Sequence, residues 1–250
     1  LLASARSASG FPDQTASAPC RLGRCPVSCL FTSRIPSVVA YIQEYREPVK
    51  PSHYKIGVAY FGVRNPRLAI QDLEQIARAG YTHVLHTWSE EDLQYYAETM
   101  AELIALSRSI GLGVYVNPWG VGRVFGGEAY TELAARNPSM AQRDQNLRPL
   151  VASCPNHPLF RDYIRRWIAT VCATEAETVF WDEPHFYFEK ENAQLWACSC
   201  PVCQDLFREQ MGFDMPRILT LEVQAFREHS LLDFLRFATD LVHSHGKRNS

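Results

Sequence analysis

The stretch KIGVAYFGVRNPRLAIQDLEQIARAGYTHVLHTW, residues 55–88, decides the fold. Its first seven residues, Lys55 to Phe61, form a nearly unbroken apolar run that reads as a buried strand. Asn65 then offers a side-chain cap, and Pro66 supplies the fixed φ of a first helical residue, so a helix is predicted from that point. Ile70, Leu73, Ile76 and Ala77 make its apolar stripe, and Gly80 ends it. Thr82 to Trp88 is a second short strand. A strand, a helix and a strand in this order form a βαβ unit with parallel strands, because the helix carries the chain back to the starting edge.

The same pattern repeats downstream. Ser89 caps a second helix, with Trp88 placed to staple onto Leu93 and a stripe of Leu93, Tyr96, Met100, Leu103 and Ile110 ending at Gly111. Gly113 to Trp119 is a third strand, followed by the glycine-rich loop GVGRVFGGE and a short helix that ends before Asn137-Pro138. Residues 140–151 read as an extended excursion or hairpin. Pro158 opens a helix with Phe160, Tyr163, Ile164, Trp167 and Val171 on one face, and Thr178 to Trp181 is a fourth strand. After a cysteine-bearing loop come a helix from about Pro201 to Met211 and a long helical stretch from Pro216 to His245, with a break expected near Gln224. Four strand–helix units predict an α/β fold with a parallel sheet. The first junction, FGVRNP, lacks G-x-G-x-x-G, which argues against a dinucleotide-binding sheet and for a barrel.

Composition narrows the function. Of 250 residues, 46% are hydrophobic and the net charge is −2, which excludes a disordered chain and leaves no basic surplus for nucleic acid. No apolar run is long enough to span a membrane. Residues 1–50 differ from the rest: they are rich in Ser, Ala, Pro and Arg and lack periodicity, and they read as an unstructured or artefactual tail in preference to a targeting peptide. The folded region is predicted to be 54–250. The absence of a secretory apolar core, together with free thiolates, points to the cytoplasm. Four units in some two hundred residues scale to on the order of 400 residues for eight strands. The expectation is therefore the N-terminal half of a (β/α)8 barrel, truncated where a fifth strand should start, and as an isolated piece inactive and aggregation-prone.

In such barrels the chemistry sits at the C-terminal ends of the strands. Those ends carry Tyr60 and Phe61, then His86, Thr87 and Trp88, then Asn117 and Trp119, then Trp181, Asp182, Glu183, Pro184 and His185. Rings beside carboxylates suit sugars, which stack a C–H face and direct their hydroxyls to polar groups. Tyr60, His86, Trp88, Asn117, Trp119, Trp181 and His185 are the candidates for binding substrate. Asp182 and Glu183 directly follow an apolar strand, where burial raises a carboxyl pKa as a general acid requires. Alternation along a strand would send them to opposite faces and different jobs. The competing readings are a helix cap with an arginine partner, a divalent-metal site of Asp182, Glu183 and His185, and a barrel that binds carbohydrate without cleaving it.

Cys198-x-Cys200-x-x-Cys203 gives three thiolates within six residues, and Cys154 can supply the fourth ligand of a closed structural zinc site. The helix beginning at Pro201 points its positive end at them. Disulfides are the alternative, but residues this close in sequence are poorly placed for one. Cys172 reads as a buried helix cysteine, and Cys20, Cys25 and Cys29 are assigned no role.

Taken together, Cys154-Pro155-Asn156, the helix with Phe160-Arg161, the acid pair and the C-x-C-x-x-C cluster resemble family 42 β-galactosidases over roughly residues 55–212. The resemblance extends to uncharacterised glycosyl-hydrolase-like proteins. It implies a retaining glycosidase, with Glu183 as acid/base, a structural zinc on Cys154, Cys198, Cys200 and Cys203, a nucleophile on a seventh strand beyond Ser250, a carbohydrate substrate, and a homo-oligomer. Asp182 departs from the Asn of that family, which donates to the sugar 2-hydroxyl; a carboxylate only accepts.

Overall fold

The computed structural model describes residues 54–126, 131–189, 192 and 194–250. The expected tail at 1–50, with Cys20, Cys25 and Cys29, lies outside the described residues. Along the chain come β1 (Gly57–Ala59), α1 (Pro66–Arg78), β2 (His83–Thr87), α2 (Glu90–Tyr95), α3 (Ala97–Ser109), β3 (Gly113–Asn117), α4 (Leu133–Arg136), β4 (Ala141–Arg143), β5 (Pro149–Ser153), α5 (Pro158–Cys172), β6 (Thr178–Val179), α6 (Pro201–Met211), α7 (Leu221–Ser244) and β7 (Arg248–Asn249).

Local chemistry sets these boundaries. Asn65 Oδ1 accepts from the Arg67 N–H at 3.1 Å and Pro66 opens α1. Ser89 and Asp92 form a reciprocal capping box at α2, and Arg64 grips the buried Asp92 carboxylate from the preceding loop. The single second helix predicted from the stripe is in fact two, α2 and α3. Tyr96, with φ −127° and ψ 18°, leaves the helical region between them. The expected break near Gln224 is absent: Thr220 caps α7 through the Val223 N–H, the Gln224 N–H bonds back to the Thr220 carbonyl at 3.0 Å, and 24 residues follow without interruption.

β1, β2, β3, β6 and β7 pair in parallel, each beside the next in chain order, with β4–β5 as a separate antiparallel hairpin. The ladders are shorter than the apolar runs that announce them. β6 pairs only through Thr178 and Val179, so Trp181 to His185 belong to a loop. Val84, Val114, Val116 and Val179 face the helices and join Leu73, Leu103, Ile104, Ile164, Trp167 and Phe234 in the main core. On the other face, Gly57, Ala59, His83, Leu85 and Tyr115 line a hollow of about 310 Å³. A second core surrounds the cysteines and holds Phe186, Trp196, Phe207, Val223 and Phe226. An aromatic column ties the rim loops to the helices: Trp181 stacks on Phe125 at 5.5 Å, Phe125 meets Phe234 at 5.8 Å, and Phe234 stacks on Phe160 at 5.6 Å.

Candidate functional site

Strand alternation sorts the rim. The pairing places Leu85, Tyr115 and Thr178 on the inner face, so Thr87 and Asn117 continue on that side, and the loop after β6 brings Asp182 to Asn117. Asn117 is buried at the end of β3. Its Nδ2 donates to Asp182 Oδ2 at 3.4 Å, while its Oδ1 is buried with no partner among the described residues. Two residues on, Trp119 is 39% exposed and stacks on Phe61, itself 60% exposed, at 6.2 Å and 13°. Gly126 lies between the Trp119 ring and the Asp182 carboxylate. A Cβ there would stand 3.3 Å from the ring and 3.6 Å from Asp182 Oδ2, and its N–H donates to the Asp182 carbonyl at 3.1 Å. At φ +60°, glycine is the residue that permits this approach.

The two acids have unlike surroundings, though not because a strand splits them. Asp182 is partly buried; desolvation first, and the neighbouring Glu183 charge second, push its carboxyl above the usual range against the opposing Asn117 hydrogen bond. Glu183 is exposed, on backbone at φ +40°, a region that side chains other than glycine seldom occupy. The carboxyl that burial favours in its neutral form is thus Asp182. His185 follows in the same loop, with Nδ1 at 2.6 Å from the Glu183 carbonyl, its N–H on the Val124 carbonyl and its ring edge-on to Phe188.

The other predicted binding residues face away from this cluster. Tyr60 turns to the helix layer, donating to Asp72 of α1 at 2.8 Å and meeting His86 edge to face. His86 is 1% exposed and bonded to Ser107 Oγ of α3 at 2.9 Å; burial lowers its pKa to about 4, so it stays neutral. Trp88 is fully buried, and its carbonyl accepts from Trp167 Nε1 at 2.9 Å. Trp181 lies in the aromatic column with Nε1 on Thr239 Oγ1 at 3.2 Å. Nor do Asp182, Glu183 and His185 gather as a metal-ligand set: among the described residues the four cysteines form the one such group.

Those four are brought together from two segments. Cys154 follows β5, and Cys198, Cys200 and Cys203 enclose the start of α6. All are fully buried, with sulfurs within 4.8 Å of one another; Cys154 Sγ is 3.4 Å from Cys203 Sγ and 3.6 Å from Cys200 Sγ. Four sulfurs at zinc distance from a common centre would be about 3.8 Å apart, so the donor set fits a tetrahedral ion. N–H groups of Cys200 and Asn156 point at Cys198 Sγ and Cys203 Sγ, each at 3.4 Å. Hydrogen bonds from the other three thiols, Cys154 first, hold Cys200 far below the ordinary thiol range, and burial pushes Cys154 up. The group can hold a metal ion.

Sequence reasoning missed a cleft of about 820 Å³ beside Trp119, between α2, α4 and α5. Its wall is fixed by Glu90, whose carboxylate accepts from the Gly122 N–H at 2.8 Å, Thr131 Oγ1 at 2.5 Å and the Glu132 N–H at 3.0 Å.

A scan against family models and a search of curated proteins each give no match. Among solved structures, the chain is similar to a Flavobacterium johnsoniae chitobiase with a TM-score of 0.50 and 11% identity, over 78% of this chain and 30% of that one. It is similar to a β-glycosidase with a TM-score of 0.39 and 10% identity, over 78% and 53% of the two chains. A β-glucosidase gives a TM-score of 0.34 at 10% identity, over 74% and 44%. The first of these shows a shared fold, over less than a third of the chitobiase chain.

Proposed function

We propose that this chain forms part of a (β/α)8-type barrel of glycoside-hydrolase kind and carries the acid–base half of a site for O-glycosidic bonds. One observation carries the reading: the Asp182 carboxyl and the open Trp119 ring flank Gly126, with Asn117 bonded to Asp182 and its other amide atom unpaired. A ring to stack on, a carboxyl pair and a free acceptor are what a sugar needs. The fold shared with a chitobiase supports the same reading.

In this proposal a sugar stacks on Trp119 and donates a hydroxyl hydrogen bond that Asn117 Oδ1 accepts. Glu183, the exposed member, protonates the leaving oxygen and then takes a proton from the attacking water. Asp182 beside it, its carboxyl pushed above the usual range by burial first, is bonded to Asn117. In the family that the sequence resembles, a retaining reaction also uses a nucleophile on a seventh strand, so the proposal covers one half of the chemistry. The four cysteines hold a structural zinc that braces the β4–β5 hairpin against α6.

The test is turnover of aryl β-galactosides, β-glucosides and N-acetyl-β-glucosaminides, with sugar binding followed by saturation-transfer NMR. Where the chain is joined to the barrel half that supplies the nucleophile, E183Q is expected to lower kcat/KM by about 10²–10⁴-fold while leaving binding intact, and W119A to weaken binding. Undiminished turnover by E183Q, or no sugar bound by the wild-type protein, overturns the proposal. Elemental analysis is expected to find one zinc per chain, absent from C200S.

A further inference from the structure

We infer that the cleft beside Trp119 is a second carbohydrate subsite, so that the ligand of the proposed site is a glycan chain rather than a single sugar; this rests on the function proposed above. Trp119 lines both places: its ring flanks Gly126 and Asp182, and it also walls the cleft. At about 820 Å³ the cleft lies toward the upper end of the range for small-molecule sites. A single ring bound near Asp182 would leave it unfilled.

The chemistry of the walls is that of a neutral polyol site. Tyr95, 62% exposed, offers a ring to stack on, and Trp119 closes one side of the cleft. Arg136, Gln94 and Asn137 offer donors and acceptors along the floor, with Arg136 already bonded to Gln94 Oε1 at 2.9 Å and paired with Glu132. The charges of Glu90, Glu91 and Glu132 offset those of Arg136 and Arg166, which disfavours a strongly anionic ligand. Independently, Tyr163 lines the same cleft, is 8% exposed, and its hydroxyl has no partner among the described residues. A buried hydroxyl left unpaired is unfavourable unless something else bonds it. Exposed Arg166, which also lines the cleft, lies 5.5 Å over that ring.

The experiment titrates the whole chain with β-1,4-linked oligomers of glucose, galactose and N-acetylglucosamine, from one to six units, by calorimetry and NMR. In at least one series, affinity is expected to rise tenfold or more between one and four units. R136A and Y163F are expected to lose most of that gain while keeping the monosaccharide affinity and a folded spectrum. Equal affinity at every length, or a length gain that survives in both folded variants, overturns the second subsite and leaves the proposed function standing. Failure of every sugar to bind overturns both.

Discussion

Replacing Gly122 by alanine tests how the rim loop is seated. Gly122 has φ +63°, and a Cβ added there would lie 2.4 Å and 2.5 Å from Phe160 Cε2 and Cζ and 3.2 Å from Ser153 Cβ. Phe160 cannot swing clear, because it is fully buried and stacked on Phe234. Two penalties follow. Left-handed backbone costs a non-glycine residue about 1–2 kcal/mol. Forcing a methyl into a packed core costs about 1–3 kcal/mol more. Their sum, about 2–5 kcal/mol, is a large share of the ~5–15 kcal/mol that holds a typical domain together. For a fold of this size it lowers Tm by on the order of 10 °C. Gly212 supplies the control: it ends α6 at φ +79° with nothing within 4 Å of an added Cβ, so G212A carries the backbone penalty alone. Differential scanning calorimetry of both variants separates clash from strain. If G122A loses no more Tm than G212A, Phe160 does not pack against this loop as described.

Three further outcomes are expected. Asp182 binds its proton more tightly when folded than at the ordinary value of 3.8, so its contribution is fully present below that pH and is lost as pH rises through the folded value; urea unfolding should show the advantage of D182N over wild type growing from pH 4 to pH 7, and an advantage that shrinks refutes the burial argument. Y163F removes an unpaired buried hydroxyl and should leave stability unchanged or raise it by about 1 kcal/mol, whereas a loss of more than about 1 kcal/mol by the same assay would mean that the hydroxyl has a partner. Stripping metal with a chelator, or making C200S, should lower Tm by on the order of 10 °C or more, because a structural zinc site contributes folding free energy directly; a chelator-insensitive Tm would remove the metal from the fold.

Much of the architecture was legible because caps and punctuation are local. Asn65-Pro66, Ser89, Pro158 and Pro201 each open the helix they announce. The interruption at Tyr96 was hidden because the apolar stripe runs on through it, and pattern alone does not register one residue leaving helical φ/ψ. Strand lengths were overstated for a related reason: an apolar run continues past the last paired residue whenever the chain dives into a core, as Trp88 and Trp181 do. The cysteine set was readable from spacing. The rim was only half readable. Grouping every strand-end residue together swept in Tyr60 and His86, which alternation assigns to the helix layer, and passed over Phe61, which it assigns to the side of Trp119. The cleft at Tyr163 depends on a loop returning to Glu90 from 32 residues away, and no local pattern encodes that contact.

The cysteine group also has a topological consequence. Cys200 follows Cys154 by 46 positions, and the ring of chain closed by a shared ion contains α5, β6 and the loop of Asp182 and Glu183. A covalent link closing a ring of that size would remove about 4 kcal/mol of freedom from the unfolded chain, and a metal clip acts in the same sense. The two acids touch none of the sulfurs, yet an ion held by those sulfurs would limit how far their segment can stray while the rest of the sheet assembles. Metal supply would then act on the acid pair through chain connectivity, at a distance, before any substrate arrives.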